Sequence, residues 1–210
     1  MEAMLNGKKT MENNIPKQER GSKMDAVSDA KFTDEIMAKE FYHIARMRLL
    51  EVYKWDEICG YASATFTLLD GQGQEVKRSA VEGDYFKINI PGPGSTAGEG
   101  YDYVRVEQIL EESSAGNQTT SMRVRPCPNP LTGGDDVAHF FKDEATSTFM
   151  VSRIGTEVLA EVHGRNEMPN TDAEGLVDKV RNTLVGLGAK VGLSYPQWKV
   201  LVRAIVAQKQ

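Results

Sequence analysis

Cysteine and histidine are scarce in this 210-residue sequence: Cys59 and Cys127 are the two cysteines, and His43, His139 and His163 the three histidines. Neither cysteine has a second Cys or a His at metal-ligand spacing, which excludes a zinc ribbon or finger, and two cysteines cannot make a disulfide scaffold. Two reduced thiols are expected, with a single disulfide as the alternative. A surplus of basic charge is also missing. Lys and Arg total 25 against 30 Asp and Glu, for a formal charge of −5, which argues against a general nucleic-acid or anionic-membrane binder, since such a protein must displace counterions with cations. There is no membrane-length apolar run and no apolar core of a signal peptide near Met1, and a cytoplasmic location without membrane insertion is expected.

Two nucleophile and nucleotide signatures are absent as well. No Gly-x-Ser-x-Gly elbow occurs. The glycine-rich stretch from Pro91 to Gly100 lacks the Gly-Lys-Ser/Thr and the following helix that a phosphate loop requires, and reads instead as a hairpin connection or flap. No cofactor and no metal is expected. A set drawn from His139, His163 and Glu167 would have to be assembled from scattered residues.

What remains is an ordinary globular composition, 40% hydrophobic and 26% charged, enough for one core. Residues 1–30 are polar and without period and are expected to be a disordered tail, with a single domain over 31–210. Thr33 is placed as the N-cap of a helix running to about Tyr53, whose Ile36, Phe41, Ile44, Leu49 and Val52 are expected to turn toward the core. His43 on this helix has no second ligand or base one turn away and is expected to pack or sit half exposed.

Strands are then predicted by period-two alternation at Gly60–Leu69, Glu75–Val81, Tyr85–Ile90, Tyr101–Ile109 and Thr120–Arg125. A polar turn is expected over Glu111–Thr119, and a loop with one helical turn over Asp135–Phe141. The clearest pattern is a hairpin of Ser147–Ser152 and Thr156–His163 about Arg153-Ile154-Gly155. Val151 is placed opposite Val158, Phe149 opposite Ala160 and Ser147 opposite Val162. Thr148, Glu161 and His163 then share the other face with Met150 and Leu159. Two helices should follow, Ala173 to about Leu187 and one capped by Ser194, the latter with Trp198, Leu201, Val202, Ile205 and Val206 as its apolar stripe.

The fold class is therefore α+β, an antiparallel meander of about six to seven strands packed against C-terminal helices, with one N-terminal helix. In element order, over roughly Gly60 to Gln210, it resembles helix-grip proteins, a likeness that implies a bent sheet wrapped about a C-terminal helix and a cavity for an apolar ligand.

Two functions follow. The first is a non-catalytic binding or interaction protein, its partner a small apolar ligand held between sheet and helix or another protein, with His139, Phe141, His163, Arg165 and Asn166 near the ligand. The second is a small enzyme with His163 as general base, oriented by Glu161 or Glu167, and Arg165 steadying an anionic oxygen. The cluster of imidazole, guanidinium, amide and carboxylate from His163 to Glu167 drives the second idea. A further expectation is that His139 and His163 meet across a pocket. Against both stands a structural reading, in which Arg165, Asn166 and Glu167 make a polar turn.

Overall fold

The computed structural model describes residues 14–60, 64–89, 97–170 and 196–208. Seven strands, β1 (Ser22–Lys31), β2 (Thr65–Leu69), β3 (Tyr85–Asn89), β4 (Asp102–Ser114), β5 (Asn117–Pro126), β6 (Thr146–Ile154) and β7 (Glu157–Glu167), form one antiparallel sheet. Their order across it is β1-β7-β6-β5-β4-β3-β2. Helices α1 (Glu35–Leu50) and α2 (Trp55–Cys59), joined by a 3-10 turn, connect β1 to β2 across the whole width of the sheet, and α3 (196–205) ends the described chain.

Strand β1 lies within the stretch read as a disordered tail. Its inner positions are small, Ala26 and Ala30 beside the longer Met24, so the apolar signal is faint, yet Ala26 pairs with Val162 and Ala30 with Val158, and both alanines are buried. Lys23, Asp25, Asp29 and Lys31 occupy the other face, as suits an edge strand that must not recruit another chain. With β1 in place, a strand precedes the helices and a meander follows them.

Asp34, not Thr33, caps α1: its Oδ1 accepts from the Met37 amide at 2.9 Å. Ala38, Phe41, Tyr42, Ala45 and Leu49 face the sheet, while Ile36 and Ile44 point to solvent, contrary to the expected core stripe. The helix stops at Leu50. Its Arg48 reaches the far end of α3, donating to the carbonyls of Ile205 and Ala207 at 2.8 Å each, which answers that helix's unpaired C-terminal oxygens.

The expected strand Glu75–Val81 is irregular chain, paired with the sheet by a bridge from Glu75 to Leu69 and packed on the core through Val76 and Ala80, and Asp135–Phe141 contains no helical turn. The polar stretch Glu111–Thr119 is the outer end of the β4–β5 hairpin. The β6–β7 hairpin is present with a register two residues from the expected one: Val151 faces Ala160, Phe149 faces Val162 and Thr148 faces His163. A shift of two keeps every side chain on its predicted face. It arises because β6 continues through Ile154 and the turn tightens to Gly155-Thr156, with Gly155 at φ 60°, the left-handed value a two-residue hairpin needs at its first position.

One apolar cluster lines the inner side of the sheet, from Ala26 and Val162 through Phe149, Met122 and Val106 to Phe86 and Leu68, and is joined by residues of α1 and by Leu201, Val202, Ile205 and Val206 of α3. The expected helix Ala173–Leu187 and most of the Pro91–Gly100 loop lie outside the described residues.

Candidate functional site

The residues from His163 to Glu167 straddle an irregularity in β7. Met24 pairs with Gly164 and Ser22 with Glu167, so three steps on β7 answer two on β1, and Asn166 takes φ 56° in the bulge. The bulge separates the cluster. His163 and Arg165 stay on the outer face of the sheet, beside Asp25 of β1. The Glu167 carboxylate instead folds over Gly164, at a position where a β-carbon would collide with it, and accepts from Ser22 Oγ at 3.2 Å.

Asp25 organises the outer group, and its part in the cluster was not foreseen. Its Oδ1 lies 2.6 Å from His163 Nδ1 and 2.7 Å from an Arg165 guanidinium nitrogen. Burial alone would push the Asp25 carboxyl up, but the hydrogen bonds and charges of His163 and Arg165 outweigh it and hold the group below its ordinary value. Arg165 spends another nitrogen on the carbonyls of Gly164 at 2.7 Å and Met24 at 3.2 Å. Asp25, and not Glu167, thus holds the Nδ1 side of His163, with Glu161 on the Nε2 side. That Nε2 stands 3.8 Å from Glu161 Oε1, buried, with Thr148 opposite on β6.

A general base needs its free nitrogen within reach of a substrate, and His163 Nε2 is sealed against the sheet. Asn166 is a clasp: its Oδ1 accepts from the amides of Glu19 at 2.8 Å and Arg20 at 3.2 Å, its Nδ2 donates to the Lys17 carbonyl, and its own amide donates to Gln18 Oε1. This fastens the chain before β1 to the end of β7. Burial raises the Glu167 carboxyl, with Asp25 adding to the effect and Ser22 and Arg165 opposing it.

His139 and Phe141 stand elsewhere. The His139 ring stacks on Phe140 with centroids 4.4 Å apart, its Nδ1 accepts from the Phe141 amide at 2.9 Å, and Phe141 bridges to Pro169. With Asn170 donating to the carbonyls of Val137 and His139, this makes a strap tying residues 137–142 to the chain that follows β7. His139 packs with Phe140, Phe141 and Asn170, whereas His163 sits with Asp25, Glu161 and Thr148. Among the described residues no group of three or more His, Cys, Asp or Glu side chains converges as cation ligands would.

Two further features bear on ligand binding. Between sheet and α3 stands a wall of rings: Trp55 meets Phe66 at 5.2 Å, Phe86 at 5.8 Å, Phe149 at 5.0 Å and Trp198 at 6.5 Å between centroids, mostly edge to face. Trp55, Phe66, Phe86 and Phe149 are buried, whereas Trp198 is only partly so. On the opposite face, a cleft of about 550 Å³ is lined by Glu82, Gly83, Arg105, Val106, Glu107, Arg125, Pro126 and Cys127. Its acids are spent locally. A bulge at Glu107 aims both carboxylate oxygens at the Nε atoms of Arg123 and Arg125, and Glu82 accepts from the Ile109 amide at 2.8 Å.

No protein-family model and no curated protein matches the chain. Solved structures resemble it loosely. The crystal structure of Ara h 8.0201 overlaps 89% of this chain and 100% of its own at 11% identity and a TM-score of 0.33. That of ginseng major latex-like protein 151 from Panax ginseng overlaps 83% and 99% at 12% identity and a TM-score of 0.36. The X-ray structure of norcoclaurine synthase from Thalictrum flavum overlaps 85% and 95% at 7% identity and a TM-score of 0.36. Overlaps this loose carry no information on ligand or activity. No described helix is long and apolar enough to cross a membrane.

Proposed function

We propose that the protein is a non-catalytic binding protein that holds a small apolar molecule between the inner face of the sheet and α3. The observation that carries this reading is the position of Trp198. It completes a ring wall of which every other member is buried, and alone among those rings it stays partly open, as the rim of an apolar site would. The commitment of the His163 cluster to holding strands together supports a role without chemistry: Asp25 takes both His163 and Arg165, and Asn166 takes the chain at 17–20.

Trp55 and Trp198 are the two tryptophans, so indole emission reports directly on this wall. Titration of the full chain with anilinonaphthalene sulfonate should give saturable binding with a change in tryptophan emission, weakened about ten-fold or more in Trp198→Ala. Native mass spectrometry of gently purified protein should find an apolar molecule bound. Binding that never saturates, or that is indifferent to Trp198→Ala, overturns the proposal. So does a substrate turnover abolished by His163→Ala in a protein that still folds.

A further inference from the structure

Helix α1 carries two apolar faces, and the core uses one of them. The other shows Ile36 at 73% exposure, Met37 at 49%, Ile44 at 41% and Met47 at 49%. The remaining large apolar side chains that are exposed among the described residues, Val27, Val81, Leu131 and Val200, are scattered over separate segments and need no explanation. Four on one helix form a patch. Ile36, Glu40, His43 and Met47 follow one another at spacings of four, three and four, the repeat that keeps a stripe on one side of a helix, and Met37 and Ile44 flank it seven residues apart.

We propose that this face is the seam of a homodimer, with α1 of a second copy packed antiparallel against it. The stripe is self-complementary under a two-fold axis, which is the condition an isologous contact must meet. An axis passing midway between Phe41 and Tyr42 lays Ile36 over Met47 of the second copy and Glu40 over His43 of the second copy. Each apolar end thus meets an apolar end, and each acid meets an imidazole, twice. On the flank, the same axis brings Met37 beside Ile44 of the second copy. A parallel arrangement would instead set Glu40 against Glu40 and His43 against His43. Among the described residues the side chains of Glu40 and His43 make no hydrogen bond or ion pair, His43 having an edge contact with the Tyr42 ring, and both stand on the exposed side of the helix. On its inner side the helix is fixed by Ala38, Phe41, Tyr42 and Ala45 on the sheet, so it presents the stripe without having to order first.

Sedimentation velocity of the full chain over a range of concentrations tests the proposal. The expected result is a monomer–dimer equilibrium, weakened about ten-fold or more by Ile44→Glu and by Met47→Lys, with far-ultraviolet circular dichroism unchanged and melting unchanged at concentrations where the chain is monomeric, because both side chains are exposed there. Glu40→Lys and His43→Glu should each weaken the dimer, and the double variant should restore it, which fixes the antiparallel register. A chain that stays monomeric at every concentration overturns the proposal. So does a dimer insensitive to Ile44→Glu and Met47→Lys, or a charge-swapped double variant no tighter than its singles.

Discussion

His163 and Asp25 meet across the β1–β7 pair, Nδ1 to Oδ1 at 2.6 Å, although 138 residues separate them in the chain. The same carboxylate oxygen holds Arg165 at 2.7 Å. One acid thus joins two cationic or potentially cationic side chains of β7 to the first strand.

Removing that charge leaves the Arg165 guanidinium, 13% exposed, without its counter-ion. Asp25→Asn is expected to cost about 1–2 kcal/mol at neutral pH in urea unfolding, a figure held down because Asp25 itself is 40% exposed and screened. The pH dependence follows from the sign of the shift. A carboxyl held below its ordinary value of 3.8 stabilises the fold above that value and loses the contribution as pH falls through its lowered one. The gap between wild type and Asp25→Asn should therefore close in acid, below about pH 4.

Glu167 has the opposite sign. Its carboxyl is raised from 4.5, so its protonated form is favoured in the folded chain, and that contribution is complete below 4.5 and disappears as pH rises through the raised value. At neutral pH its ionisation works against folding. Glu167→Gln keeps the shape and an acceptor for Ser22, and should raise the melting temperature at pH 7 by an amount equivalent to less than about 1 kcal/mol, with the advantage fading toward pH 4.

Asn166 combines a left-handed backbone with a side chain that fastens residues 17–20. Asn166→Gly preserves the first and removes the second; Asn166→Ala removes the clasp and adds strain at φ 56°. Both variants should expose Lys17 and Arg20 to trypsin faster than wild type, and Asn166→Ala should be the less stable of the two, by about 1 kcal/mol.

Both thiols are free, and burial pushes Cys127 up to about 12 and, with Asp56 nearby, Cys59 up to about 11. Thiolate is the reactive form. A chromogenic disulfide reagent at pH 8 should label neither in the folded chain at an appreciable rate, and both on unfolding.

The parts of the fold legible in the sequence are those whose side chains are large. Phe86 and Ile88, Met122 and Val124, Phe149 and Val151 alternate strongly, and their strands fall where expected. Leu201, Val202, Ile205 and Val206 turn inward as their spacing indicates. Strand β1 escaped because alanine contributes little apolar area and edge strands carry charge on the open face. Helix α1 was assigned one mixed stripe because two apolar faces average out over its turns. The His163 cluster was found, yet its organising acid was not, since nothing local to residues 161–167 points to Asp25. Local spacing also could not show that the Asn166 bulge sends Glu167 to the other side of the sheet.

The strand order has a consequence for how the chain reaches this state. Strand β1 leaves the ribosome first among the strands, and the partner that zips to it, β7, emerges last. Until then β1 has no neighbour to complete its backbone hydrogen bonds, while β2 to β6 can assemble by successive hairpins. Pairings between such distant segments are slow to find. The final closing event of folding should thus be the capture of the leading strand by the trailing one, with the Asp25–His163 contact forming late and the hairpin contact between Thr148 and His163 already made.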